Sequence, residues 1–133
     1  MSGLDNNGYV TKSEVIDLRD TGVTCKTWPD LPLGTYGSVG GLINDKLLIC
    51  GGINSIEGPT SLCHAITPSL TDNPYNTMTP SLTDKPFKLA NASYFSAGVV
   101  LDQDTLLISG GRGNQRNIFV VNYEFLSFYI LYR

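Results

Sequence analysis

One stretch of the chain occurs twice, and this repeat restricts the possible folds more than any other feature. Residues 36–52 read Y-G-S-V-G-G-L-I-N-D-K-L-L-I-C-G-G, and residues 94–111 read Y-F-S-A-G-V-V-L-D-Q-D-T-L-L-I-S-G-G. With one gap beside Asp45, nine of the seventeen aligned positions are identical, among them Leu-Leu-Ile and the closing Gly-Gly. Each copy is an apolar run, a short polar turn, a second apolar run and a glycine pair. This pattern predicts a β-hairpin that ends where the backbone needs a positive φ or a close approach to a neighbour.

The spacing of the glycines predicts an all-β protein made of repeated sheets. Gly3 and Gly52 are 49 positions apart, Gly52 and Gly111 are 59 apart, and 47 remain when a twelve-residue duplication is subtracted. No segment has the i, i+3, i+4, i+7 apolar pattern of an amphipathic helix. A period of about 50 residues with several strands is typical of a β-propeller with four-stranded blades.

The twelve-residue duplication carries the motif T-P-S-L-T-D at residues 67–72 and again at residues 79–84. Its prolines, and the lack of alternating apolar residues, predict a surface loop or a sheet edge. Thr67 and Thr79 are each followed by proline. This pattern fits proline-directed phosphorylation, and turn chemistry explains it as well.

Several motifs around the repeat resemble those of kelch proteins. They are the apolar run before a double glycine, a V-I-D-L strand at residues 15–18, and a Trp followed by P-D-L-P. The cysteine-bearing kelch-like proteins of invertebrates are the most similar form. The resemblance implies a propeller in which glycine pairs permit strand crossing and large aromatic side chains pack between blades. The residues that take these structural roles are Gly51, Gly52, Gly110, Gly111, Trp28 and, at the Trp position of the next unit, Phe87.

The chain is too short for a closed propeller, which takes roughly four to eight blades. Residues 1–34 correspond to the second half of a blade, residues 35–93 to a complete blade with the duplicated insertion, and residues 94–133 to the first three strands of the next blade. The last ten residues match no strand of the kelch pattern. We therefore expect a partial kelch-type propeller of about two and a half four-stranded blades, with the remaining blades missing from this chain. Its unpaired strand edges should make it poorly stable or self-associating.

Two of the three cysteines flank the first glycine pair. If the strands that carry Cys50 and Cys63 are antiparallel neighbours, the two residues face each other at disulfide distance. The second copy has Ser109 in place of Cys50 and no cysteine after its glycine pair, so both members are lost together. Two small buried thiols remain the alternative. Cys25 is then the odd cysteine, either free or paired with a missing part of the propeller.

The sequence carries weak signals about the compartment. Asn91 begins an N-A-S glycosylation pattern, which is short enough to arise by chance. Together with the cysteine pair it favours an extracellular location slightly over a cytoplasmic one.

Several classes of function are disfavoured by composition and motifs. A net charge of −3 disfavours nucleic-acid binding. The longest apolar run, residues 118–132, is interrupted by polar residues and is shorter than the ~20 residues of a membrane span. His64 is the only histidine, which disfavours a metal site, and neither a nucleophile elbow nor a phosphate-binding loop is present. We expect no enzymatic activity, no cofactor and no metal.

The resemblance to kelch proteins implies a non-enzymatic module that binds a protein partner through loops at one face. The loops after the two glycine pairs take equivalent positions in their units. The candidate binding residues in and beside them are Asn54, Glu57, Arg112, Asn114 and Arg116.

Two other functions stay open. Some kelch proteins serve as the substrate-recognition propeller of a cullin-type ubiquitin ligase adaptor. A galactose-oxidase-like enzyme also uses a kelch-type propeller, but its site needs paired His and Tyr residues and a Tyr–Cys cross-link. A single histidine disfavours this third reading.

Overall fold

The computed structural model describes residues 3–16, 25–28, 30–67, 81–82, 87–113, 118–122 and 127–131. These residues form strands and turns and contain no helix, so the prediction of an all-β fold is confirmed for this part of the chain. The same residues therefore include no helix that is long and apolar enough to cross a membrane. The strands are β1 (Gly3–Asp5), β2 (Gly8–Val10), β3 (Ser13–Ile16), β4 (Cys25–Trp28), β5 (Thr35–Tyr36), β6 (Val39–Ile43), β7 (Lys46–Cys50), β8 (Ile53–Asn54), β9 (Gly58–Pro59), β10 (Leu62–Thr67), β11 (Ser81–Leu82), β12 (Phe87–Lys88), β13 (Ala97–Asp102), β14 (Thr105–Ser109), β15 (Ile118–Asn122) and β16 (Ser127–Leu131).

Antiparallel pairing joins these strands into two larger sheets and three small ones. The first sheet runs β6–β7–β10, with both β11 and β12 paired to the far side of β10. The second sheet runs β13–β14–β15–β16. The pairs β1–β2 and β3–β4 and the trio β5–β8–β9 form the small sheets, and no sheet among the described residues closes on itself. Strand β16 lies within the C-terminal ten residues and gives the second sheet a fourth strand, where three were expected.

The two copies of the repeat form equivalent hairpins, β6–β7 and β13–β14. The first turns at Asn44 and Asp45, whose φ angles of 48° and 56° suit a tight hairpin turn and are tolerated by Asn and Asp. The second turns at Gln103 and Asp104, and its register shifts by one residue at Leu101. The extra residue of the second copy is therefore a β-bulge in the strand and not, as the alignment placed it, an insertion at the turn. The bulge takes up the extra residue, so the side chains on either side of it keep their faces of the sheet. The two turns lie next to each other, and the Asn44 amide donates to the Gln103 carbonyl at 2.8 Å.

The core lies between the two larger sheets, which contribute opposite faces to it. The back face of the first sheet is the one that bears the buried residues Leu48, Cys50, Cys63 and Ala65. The front face of the second sheet is the one that bears the buried residues Leu106, Ile108, Phe119 and Val121. In the repeat, Leu106 corresponds to Leu47 and not to Leu48. The sheets therefore stack in the same orientation, back face to front face, as repeated units of one array do.

Two glycines let the sheets approach closely. A Cβ on Gly41 of the first sheet would lie 2.7 Å from Cγ2 of Val100, and a Cβ on Gly98 of the second sheet would lie 2.5 Å from Cγ2 of Val39. Each sheet thus presents one valine to a glycine of the other. Any larger residue at either glycine would push the two sheets apart.

The N-terminal strands repeat the second half of the first sheet's unit. The amide of Leu31 donates to the carbonyl of Thr11, and the amide of Leu89 donates to the carbonyl of Ser61, each at 2.8 Å. These bonds tie the start of each following linker to matching places beside β3 and β10. Residues 3–34 and 52–92 therefore share a local architecture, although their connecting segments differ in length.

The same correspondence places Trp28 and Phe87 at one register position. Trp28 lies opposite Ser13 in the β3–β4 pair, and Phe87 lies opposite Cys63 in the β10–β12 pair. Phe87 is half-buried and packs against the core between the sheets. The side chain of Trp28 lies outside the described part of the structure, so its predicted packing between blades stays a prediction.

Candidate functional site

The glycine pairs close both hairpins at the same end of the molecule. Gly51 and Gly52 have φ angles of 67° and 99°, and Gly110 and Gly111 have φ angles of 73° and 82°. The Gly52 amide donates to the carbonyl of Ser93 at 2.8 Å, and a Cβ on Gly51 would overlap that carbonyl. Only glycine combines this backbone conformation with this approach. The first glycine pair thus packs against the linker that leads into the second sheet, at Ser93.

A pair of hydroxyl groups, absent from the functional prediction, recurs beside each glycine pair. The hydroxyl groups of Thr35 and Ser38 are 2.8 Å apart, and Ser38 donates to the carbonyl of Gly51 at 3.1 Å. In the second copy the hydroxyl groups of Ser93 and Ser96 are 2.5 Å apart, and Ser96 donates to the carbonyl of its own first glycine at 3.4 Å. The Ser that occurs in both copies of the internal repeat could have indicated this role. These bonds hold the residues that precede β6 and β13 against the glycine pair at the end of the same hairpin.

The loop at residues 53–60 is shaped from inside by Asn54. This side chain is 2% exposed, and its Oδ1 accepts from the amides of Ile56 at 2.9 Å and Glu57 at 2.6 Å. As a result, Glu57 is exposed and Ile56 is 78% exposed at the tip. Of the candidate binding residues in this loop, Glu57 therefore faces solvent, whereas Asn54 holds the conformation that presents it.

The second loop begins at Arg112, which is exposed. Its amide donates to the carbonyl of Tyr94 at 2.7 Å, and the amide of Tyr94 donates back at 3.0 Å. The backbone of Arg112 is thereby tied to the linker that precedes the second sheet. Asn114 and Arg116 lie outside the described residues.

A row of aromatic rings crosses this end of the molecule, and sequence reasoning did not select it. The ring centroids of Tyr9 and Tyr36 are 5.7 Å apart, those of Tyr36 and Phe95 are 5.7 Å apart, and those of Phe95 and Tyr94 are 5.5 Å apart. Offset and edge-on contacts at these distances are favourable between aromatic rings. The members come from three successive repeat segments. We call these four residues the aromatic row.

Phe95 is the most exposed member of the aromatic row and has an unusual backbone. It is 56% exposed and has a φ of 55°, at a position where the first copy has Gly37 with a φ of 68°. The Phe95 amide donates to the Gly37 carbonyl at 2.7 Å, and its ring occupies the space that a side chain on Gly37 would need. A left-handed conformation is costly for an aromatic residue and is typical of functional positions.

His64 lines a shallow depression beside these loops. Leu33, Thr35, Asn54 and Thr60 also line it, and Nδ2 of Asn54 is buried there without a hydrogen-bond partner among the described groups. Burial lowers the pKa of His64 and so favours the neutral imidazole. In the described part of the chain, no three His, Cys, Asp or Glu side chains are placed to share a metal ion.

Cys50 and Cys63 lie directly opposite each other on β7 and β10. Their sulfur atoms are 2.10 Å apart and their Cα atoms 4.0 Å apart, so the predicted pair is at disulfide distance. The Gly51 amide donates to the Leu62 carbonyl, which marks a non-hydrogen-bonded pair, the kind whose side chains are closest in antiparallel sheets. Cys25 is free and exposed.

The glycosylation pattern lies in the linker before the second sheet. Asn91 is half-buried, and Ser93 is 6% exposed with its hydroxyl already bonded to that of Ser96. In this conformation the Ser93 hydroxyl takes part in the repeat's own hydrogen bonds. Modification of Asn91 stays a prediction.

No protein-family model matches the chain, and no curated protein matches it. The internal repeat is therefore the main guide to its architecture. The surface at the glycine-pair end, defined by the aromatic row with Glu57, Ile56 and Arg112, is the candidate functional site.

Proposed function

We propose that this chain is a non-enzymatic protein-binding module, built as about two and a half blades of a kelch-type β-propeller. The aromatic row carries this proposal, since Phe95 is 56% exposed and the other three rings are half-buried beside it. Aromatic residues and Arg are enriched where proteins bind one another, and the Tyr members of the row add a hydroxyl group to a large apolar area. Here the exposed Arg112 is bonded through its backbone to Tyr94. The strand that leads to the exposed Glu57 begins at Ile53, which pairs with Tyr36.

The stacking of the sheets supports the propeller part of the proposal. The two larger sheets, each built around one copy of the repeat, pack back face to front face, and their strands β6 and β13 are adjacent. Repetition of this step is what generates an array of blades around an axis. In this arrangement the pairs β1–β2 and β3–β4 correspond to the outer half of a preceding blade.

The rigidity of the surface supports the binding part. Each loop is held by backbone or side-chain hydrogen bonds to the strand ends, through Asn54 in one loop and the Arg112–Tyr94 pair in the other. Loops held on a rigid scaffold lose little entropy when they bind. A polypeptide partner with apolar and acidic side chains suits an aromatic surface next to the exposed Arg112.

A photo-cross-linking experiment tests this proposal. The probe is a benzoyl-phenylalanine placed at Glu57, and the matched control places it at Gln103, which is also exposed but lies at the opposite end of the hairpins. In extracts of the native source, we expect a discrete cross-linked protein from position 57 and none from position 103. Cross-linking that is equal at both ends, or absent at position 57, would contradict the proposal.

The cross-linked protein is then purified and its affinity measured. Arg112→Glu should weaken binding about tenfold or more, since truncation of central interface residues commonly costs over 1 kcal/mol. Lys88→Glu makes the same charge reversal at an exposed position on β12 and should leave the affinity unchanged.

A further inference from the structure

The back face of the second sheet is open to solvent. Val99 lies on it and is 53% exposed, and Leu107 and Val120 are half-buried on the neighbouring strands. The first sheet has its core at the equivalent positions, which are Gly41, Leu48 and Ala65. A surface that is core in one repeat unit is therefore exposed in the next.

The front face of the first sheet is open along its inner strand. Leu42 is 54% exposed, and Leu47 and Ile49 beside it are half-buried. The equivalent residues of the second sheet, Val100, Leu106 and Ile108, are the ones that cover the back face of the first sheet. The front face of the first sheet is free only at its β6 side, because Ile66, opposite Leu47 on the same face, is buried. The chain thus has one open area of each kind that its own core joins.

We propose that the front face of the first sheet in one copy of the chain docks on the back face of the second sheet in another copy, head to tail. The core between the two sheets supplies the template, because it joins the same two kinds of face. None of the side chains at the contact centre carries a formal charge: Leu42, Leu47 and Ile49 on one face, Val99, Leu107 and Val120 on the other. Such a contact is heterologous, so each copy keeps one free face after the first association.

The intermolecular contact is weaker than the core that it copies. In the core, the absence of a side chain at Gly41 admits Val100, whereas the equivalent position on the free back face is Val99. The two copies cannot approach as closely as the two sheets do. We expect dissociation constants between about 1 and 100 µM.

Analytical ultracentrifugation of two variants tests the inference. The wild-type chain should show a mass that rises with concentration up to about 100 µM. Leu42→Asp blocks the front face and Val99→Asp blocks the back face, so self-association of each variant alone should be weakened about tenfold or more. Mixed in equal amounts, the two variants retain one intact face each and should form a one-to-one dimer and nothing larger.

Leu4→Asp is the matched control, since Leu4 is an equally apolar and 55% exposed residue on β1 that belongs to neither face. It should associate as the wild type does, and circular dichroism should show that all three variants keep their strand content. A wild-type chain that stays monomeric at about 100 µM would overturn the inference and leave the faces to further repeat units of a longer protein. A mixture that stays monomeric would overturn the head-to-tail arrangement. Because neither face includes the aromatic row, this result and that of the cross-linking experiment are independent.

Discussion

Gly51 and Gly110 have nearly the same backbone conformation and different surroundings. Their φ angles are 67° and 73°. A side chain on Gly51 would overlap the carbonyl of Ser93, whereas a side chain on Gly110 would meet nothing within 4 Å. The internal repeat therefore separates two reasons for glycine, a left-handed backbone and a close approach, that usually occur together.

We predict that Gly51→Ala destabilises the protein more than Gly110→Ala. Both variants should lose roughly 1–2 kcal/mol from the left-handed backbone, and Gly51→Ala should lose about 1–3 kcal/mol more because the linker must move. Urea denaturation of the two variants measures this difference directly. Equal losses would mean that the approach of Ser93 to Gly51 contributes nothing to stability.

At the scale of elements, the pairing of β7 with β10 brings Cys50 and Cys63 together in the centre of the first sheet. Both residues are buried, with 0% exposure. The two cysteines are 13 residues apart in sequence, so a bond between them closes a short loop across the glycine pair. Its main effect is to restrict the unfolded chain.

We predict that reduction lowers the free energy of unfolding by about 3 kcal/mol, the loop-closure value for a loop of this size. Alkylation of the oxidised protein followed by mass spectrometry should find one free thiol, that of Cys25. The double variant Cys50→Ala/Cys63→Ala should have the same unfolding midpoint with and without reductant. Three free thiols in protein from its native source would favour an intracellular protein over an extracellular one.

The sequence predicted those elements whose signal is local. Alternating apolar residues and the polar turn predicted the hairpins, and the joint loss of both cysteines in the second copy predicted their proximity. The bulge at Leu101 was misplaced, because a gap between two similar apolar runs can be drawn at the turn or in the strand without changing the number of identities. The aromatic row was missed because Tyr9, Tyr36 and Phe95 lie far apart in sequence and meet only when β2, β5 and the segment before β13 pack side by side.

At the scale of the whole molecule, the two large sheets are held in register by two valine–glycine contacts. Val39 lies against Gly98, and Val100 lies against Gly41. Because each valine fills the space left by a glycine of the other sheet, these two contacts define the distance between the sheets and which faces they bring together. Sequence alone could not predict which sheet faces which, because both faces of each repeat are apolar.

We predict that Gly98→Val destabilises the protein by about 1–3 kcal/mol through overpacking, and that Val39→Gly in the same chain recovers part of this loss. The loss in free energy of unfolding of the double variant should be smaller than the sum of the losses of the two single variants by over about 1 kcal/mol. Thermal or urea unfolding of the four proteins completes the cycle. Effects that add within about 0.5 kcal/mol would mean that the two residues do not contact each other.

The aromatic row has one more consequence, because its rings belong to three different repeat segments. A ligand that spans the row can bind fully only while those segments are docked side by side. By thermodynamic linkage, binding and docking must then reinforce each other: each ligand that occupies the row opposes the separation of the segments beneath it. A partner that binds across the aromatic row would therefore raise the free energy needed to separate these segments.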